Sequence, residues 1–240
     1  MSKLKRWVSV CDNHGDHAHT PTLDALWDFI DEWKPHIRIH KGDLFDFRAL
    51  RRKANENEKR ESIAADLQAG LDFIRRYKPN VWLLGNHDDR LWEISKWGSG
   101  AVKDLATMGV NDIESQCGRL KVQIVPFGKR VGVFKLGDLK FLHGYYHGAF
   151  AARRMAQVYG RCLFGHVHTY DIASIPRWEG PIVAQACPAL CELDQEYNQQ
   201  QPDSLRHSHG WAYGVYDEAT GATEVWAARD LNGMWFLPRI

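Results

Sequence analysis

No run of apolar residues in this 240-residue chain approaches the roughly 18 that a bilayer-spanning helix needs, so no membrane role is expected. Charge of one sign is also lacking: 31 Lys and Arg stand against 30 Asp and Glu, a formal net charge of +1. A chain so balanced is not a dedicated polyanion coat, and any grip on phosphate must be local. Cysteine is scarce and scattered. Cys11, Cys117, Cys162, Cys187 and Cys191 include no CxxC pair, so they read as reduced thiols of a cytoplasmic protein rather than as a disulfide framework. Cys187 and Cys191 in "CPALC" are expected only to pack. The opening "MSKLKRWVSV" has no long apolar stretch and no small-residue cleavage site, so no signal peptide is expected. Repeats, low-complexity tracts and linkers are missing too, and residues 1–240 are read as one domain.

What is present suits a packed interior: 44% hydrophobic residues and ten tryptophans. The first half alternates strands and helices. Leu4–Val10 reads as a strand. Thr20 then caps a helix with Pro21 in its first turn, and Leu23, Leu26, Trp27, Ile30 and Trp33 recur at helical spacing. Ile37 and Ile39 begin a second strand. A long helix is expected over 56–77, and "PNVWLL" is a third strand. The second half turns to short strands at 121–125, 130–136 and 139–143, read as hairpins, with a helix near 149–159. "WAYGVYD" and "TEVWAA" flank "DEATG" as another hairpin, and the polar stretch 192–209 is a long loop.

Five strand candidates end alike. "RWVSV" exits into Asp12-Asn13-His14, "HIRIHK" into Gly42-Asp43-Leu44-Phe45-Asp46, and "VWLL" into Gly85-Asn86-His87-Asp88. "LKFL" exits into His143-Gly144, and "RCLF" into Gly165-His166-Val167-His168. Ligands of α/β folds bind outside the carboxyl ends of strands, so these residues should meet at one edge. The glycines at 42, 85 and 165 are expected to let the backbone turn sharply. Two divalent cations about 3.5–4 Å apart can clamp both oxygens of a phosphoryl transfer. Mixed carboxylate, amide and imidazole donors favour transition metals over magnesium or calcium.

The ordered blocks D-x-H, GDxxD, GNHD, H and GHxH resemble the calcineurin-like metallophosphoesterase superfamily, from Asp12 to His168. The resemblance implies an α/β fold, a four-layer α/β/β/α sandwich of two mixed sheets. It implies two divalent transition-metal ions, manganese first, with iron, zinc or nickel as alternatives. Asp12, His14, Asp43 and His168 would hold one ion. Asn86, His143, His166 and the shared Asp43 would hold the other. His87 would be catalytic, as general acid or charge stabiliser, with Asp46 orienting it and favouring its charged form. His17 and His19 fall outside the motif, in the loop before the next helix, where they are expected in solvent with substrate contact as the alternative; His36 and His40 are expected as ordinary strand residues. Asp88 and Asp89 are expected to cap the next helix.

"GDLFD" with "GNHD" is worded most like the SbcD-type repair exonucleases and unlike the protein phosphatases, because Phe47-Arg48 stands where the latter have Arg-Gly. The block after Asp12 departs from those exonucleases, and the residues after His168 are expected to complete the second sheet and not to form a DNA-capping domain. The expected activity is hydrolysis of phosphodiester bonds, as a nuclease or phosphodiesterase acting on nucleic acid or nucleotides. A phosphomonoesterase of nucleotides or phosphoproteins is the alternative, and a non-catalytic binding module a remote one. Candidate substrate contacts are Arg48, Arg51 and Arg52 in a basic segment, and His147, His207 and His209.

Overall fold

The structure is a computed structural model that describes residues 4–194 and 202–237. The first sheet is built on β1 (Leu4–Val10), β2 (Ile37–His40), β3 (Val81–Leu83) and β4 (Gln123–Val125), all parallel. It extends antiparallel on the other side of β1 through β10 (Gly210–Asp217), β11 (Thr223–Leu231) and β12 (Met234–Phe236). The order is β12-β11-β10-β1-β2-β3-β4. The second sheet runs β5-β6-β7-β9-β8, from β5 (Phe134–Leu136), β6 (Leu139–Leu142), β7 (Cys162–Phe164), β8 (Asp171–Ile175) and β9 (Ile182–Ala186). β6, β7 and β9 are parallel within it.

Side-chain alternation sorts the strands into layers. Trp7, Cys11, Ile39, Val81 and Leu83 of the first sheet pack against Leu139, Phe141 and Leu163 of the second. Their neighbours Val8, Val10 and Trp82 face outward onto α1 (Thr20–Trp33), α2 (Ile63–Tyr77), α3 (Asp89–Trp97) and α4 (Gly100–Leu120). Leu142 and Phe164 turn the other way, onto Met155 and Ala156 of α5 (Ala151–Tyr159). The result is the four-layer α/β/β/α arrangement of two mixed sheets that the motifs led us to expect.

Three differences from the expected elements have physical causes. α2 begins at Ile63 and not near 56, because Ser62 caps it: its Oγ accepts from Ala65 N at 3.2 Å. β4 is no hairpin arm. It is the parallel edge strand of the first sheet, with Val81 opposite Gln123, returned there by the crossover through α3 and α4. α4 itself escaped the periodicity reading. Its buried stripe is narrow, Ala106, Val110, Ile113 and Cys117, while Val102, Leu105 and Met108 are apolar yet exposed and blur the pattern. No helix among the described residues is long and apolar enough to cross a membrane.

Candidate metal centre

The five expected strand exits do converge: β1, β2 and β3 open into one rim from the first sheet, β6 and β7 from the second. The exits after β1 and β2 are zipped together, Asp12 N to Gly42 O, His14 N to Asp43 O and Gly15 N to Leu44 O at 2.8–3.1 Å. Ten non-glycine residues among those described have positive φ, and five are Asp12, His14, Asp43, His166 and His168, at 51–72°. Left-handed backbone costs energy and gathers at functional sites. The motif glycines do something other than turn. Only Gly42, at φ +101°, needs its conformation. Gly85 and Gly165 supply room: a Cβ would stand 2.1 Å from Asp43 Oδ1 at the first and 2.7 Å from Asp12 Oδ2 at the second.

Asp43 sits at the centre. Its Oδ2 lies 3.2 Å from His143 Nε2, 3.8 Å from His87 Nε2 and 4.0 Å from His14 Nε2, and its Oδ1 accepts from His87 N at 2.9 Å. His143 Nε2 is also 3.0 Å from Asn86 Oδ1. On one flank, His14 Nε2 and His168 Nε2 are 3.2 Å apart, with Asp12 Oδ1 3.6 Å from the latter. On the other, donor atoms of Asp43, His143 and His166 lie within 4.8 Å of one another. His166 N donates to both oxygens of Asp12, and its Nε2 is 2.9 Å from His147 Nδ1.

These donors fit cations. His143 Nδ1 lies 2.9 Å from Lys41 O, and a carbonyl only accepts, so the proton is on Nδ1. Its Nε2 then faces Asp43 Oδ2 at 3.2 Å, and the carboxylates of Asp43 and Asp12 raise His143 against its burial. Carboxylates packed this closely among imidazoles need positive charge between them, which ring protons supply in the cation-free protein and a divalent cation would replace. Donors bonded to one ion at about 2.0–2.2 Å stand about 3–4 Å apart, as these do. Burial alone would raise Asp12 and Asp43, yet the surrounding histidines hold both below the usual carboxylate range. Burial, with His143 beside it, pushes His166 down to about 3.

His87 and Asp46 stand together at the rim. Asp46 Oδ1 accepts from His87 Nδ1 at 2.5 Å, and Asp46 also accepts from Arg48 at 2.9 Å and Arg90 at 3.4 Å. Asp46 acts on His87 in the expected direction, favouring its charged form. Burial is the larger effect and lowers His87 from its ordinary value against the pull of Asp43 and Asp46.

Of the expected substrate contacts, His147 reaches the centre through His166, and the His207 ring lies 5.3 Å from that of His168. His209 stacks on His19, centroids 4.0 Å apart and 2° from parallel, and donates from Nε2 to Cys191 O at 3.0 Å. Arg48 is buried and faces Asp46, Asp16 and Glu61. Arg51 pairs with Glu58 at 2.7 Å, and Arg52 remains exposed.

Sequence reasoning missed several supports. Asp88 occupies the N-cap position of α3 but makes no side-chain capping bond: its two oxygens accept from Phe45 N and Gly85 N, both at 2.8 Å, tying two exits together. Asp66 accepts from Asp46 N and Phe47 N. His40 is fully buried, accepts from Gly42 N and gives its other N–H to Asn13 Oδ1 at 2.7 Å. The signal available was a charged residue on an otherwise apolar face. Cys191 does more than pack: its Sγ is 3.9 Å from His168 Nδ1.

No protein-family model matches the chain, and no curated protein does. Solved structures do. A metallophosphoesterase from Sphaerobacter thermophilus is 14% identical, with 94% of this chain and 88% of that one covered at a TM-score of 0.48. A Vps29 mutant from Entamoeba histolytica is 10% identical, covering 94% and 99%, at 0.37. The NAD nucleotidase of Haemophilus influenzae is 8% identical, covering 100% of this chain and 60% of that one, at 0.41. Similarity this distant leaves the chemistry to be read from the chain's own residues.

Proposed function

We propose that this chain is a dinuclear metal-dependent phosphoesterase of the calcineurin-like metallophosphoesterase type that hydrolyses phosphodiester bonds of nucleotides or nucleic acid. The observation that carries it is the convergence of carboxylate, amide and imidazole groups around Asp43, with His87 beside them on Asp46. Asp12, His14, Asp43 and His168 would hold one divalent cation; Asp43, Asn86, His143 and His166 the other. Manganese is the first expectation, from the mixed nitrogen and oxygen donors. The cations supply a Lewis-acid clamp for the phosphoryl group and lower the pKa of a water.

The remaining work falls to the protein. Asp46, fixed by Arg48 and Arg90, holds the Nδ1–H of His87, leaving Nε2 toward Asp43 and the incoming phosphate. A phosphate anion there favours protonation of Nε2. The imidazolium then donates to the leaving oxygen as its bond to phosphorus breaks. Arg48 is accordingly assigned to Asp46, not to substrate. The preference for a diester rests on the resemblance of "GDLFD" and "GNHD" to repair exonucleases.

The test compares an aryl phosphate diester with its monoester, before and after chelation, in wild type and His87→Ala. The diester should be the faster, and chelation should abolish both activities. His87→Ala should keep its metal content and lose roughly 10²–10⁴-fold in turnover. The loss should be greater for a nucleoside alkoxide leaving group than for nitrophenolate. Full activity after thorough chelation, or an emptied metal site in His87→Ala, would overturn the reading.

A further inference from the structure

We infer that Cys191 is a positioning residue for His168: its sulfur accepts the Nδ1–H of that imidazole and keeps Nε2 aimed at the cation. The inference rests on His168 being a ligand, as proposed above. Nε2 of His168 faces the other donors, 3.2 Å from His14 Nε2 and 3.6 Å from Asp12 Oδ1. Nδ1 is therefore on the far side of the ring, where Cys191 Sγ stands 3.9 Å away. His143 divides its nitrogens in the same way, with Nδ1 on a carbonyl and Nε2 among the donors. Metal-binding histidines commonly need such an acceptor behind them, and its loss typically costs 10–100-fold in affinity or activity.

Two further observations set this thiol apart. Cys11, Cys117, Cys162 and Cys187 all belong to hydrophobic clusters. Cys191 is fully buried yet belongs to none, and its donor atom groups with those of His14 and His168. Its main chain is also fastened to the centre. Leu190 N donates to Asp12 O at 3.1 Å, Glu192 N to His17 O at 2.9 Å, and His209 Nε2 to Cys191 O at 3.0 Å. The stack of His209 on His19 closes this strap. A thiol is a weak acceptor, so it sets the orientation and tautomer of the ring without adding a charge.

Direct ligation by the thiolate is the competing role, and cobalt separates the two. The full chain, stripped of metal, is titrated with Co(II) alone and followed by absorbance and calorimetry for wild type, Cys191→Ser and Cys191→Ala. Wild type should bind two ions with no sulfur-to-cobalt charge-transfer band in the near ultraviolet. Cys191→Ala should weaken one of the two sites by roughly 10–100-fold and leave the other unchanged. Cys191→Ser, which retains an acceptor, should recover part of the loss. Unchanged affinity at both sites in Cys191→Ala would overturn the inference, as would a wild-type charge-transfer band that Cys191→Ser abolishes. Should Cys191→Ala fail to fold, the wild-type spectrum and Cys191→Ser still decide. Failure of the wild type to bind two ions would instead overturn the metal reading itself.

Discussion

Gly85→Ala adds one methyl group and should cripple the centre. A Cβ at this position would lie 2.1 Å from Asp43 Oδ1 and 2.4 Å from Asp43 N. Ordinary contacts of such an atom are at about 3.4 Å or more, so roughly 1 Å must be found. Relief is costly on both sides. The Gly85 amide is held by Asp88 at 2.8 Å, and the Asp43 carboxylate is held by His87 N at 2.9 Å. Overpacking of this kind costs typically 1–3 kcal/mol, and the backbone atom in the clash places Gly85→Ala at the upper end. Displacing a catalytic group by about 1 Å can cost about 10²-fold in rate, and Asp43 serves both proposed ions. The control is Gly118→Ala in α4. A Cβ at Gly118 meets nothing within 4 Å, and helical Gly→Ala stabilises by about 0.5–1 kcal/mol. Urea unfolding should thus move in opposite directions for the same chemical change. Titration with manganese should show both ions weakened in Gly85→Ala only. Wild-type stability and metal affinity in Gly85→Ala would refute the steric account of this glycine.

Two more outcomes follow from charge. Burial and the negative charge of Asp43 push Asp88 up to about 8, against about 3.9 for an ordinary aspartate. An acid whose pKa is raised on folding contributes fully below about pH 4, and the contribution is lost as pH climbs through about 8. The cation-free wild type should therefore lose stability relative to Asp88→Asn across that window, read from urea midpoints at each pH; a constant difference would refute the assignment. In the basic segment Arg51 is already paired with Glu58, leaving Arg52 and Lys53 exposed. If a strand of nucleic acid lies there, Arg52→Ala with Lys53→Ala should lower the slope of log affinity against log salt by about 0.9 per lost duplex contact. Aryl diester hydrolysis should be untouched, and equal losses on both substrates would rule out a recognition role.

Much of the centre was legible because chemistry there depends on residue type at strand ends. Asp12, Asp43, His143 and His168 stand out against apolar runs, and a single sequence displays that contrast. Asp88, Asp66 and His40 were not legible, since what they do depends on which amide a fold carries to them. Asp88 meets Phe45 N from 43 residues away, and nothing local announces it. β4 was misread for a related reason: its partner is chosen by a helical crossover, while its own three residues suit either sheet. Arg48 looked like a phosphate contact because its three carboxylate partners, Asp16, Asp46 and Glu61, come from separate segments.

The strand order also has a consequence for biosynthesis. β1 is flanked on one side by β2, made soon after it, and on the other by β10, some 200 residues later. Until β10 leaves the ribosome, the apolar ribbon Trp7–Val10 presents an unpaired edge, which is a template for association with other chains. Asp12 and His14 hang from that same ribbon, while His166 and His168 are translated more than 150 residues afterwards. Each of the two proposed ligand sets therefore lacks its last histidine until residues 166–168 are made. The unpaired β1 edge is the feature that expression at lower temperature, or with a chaperone, should shield until β10 pairs with it.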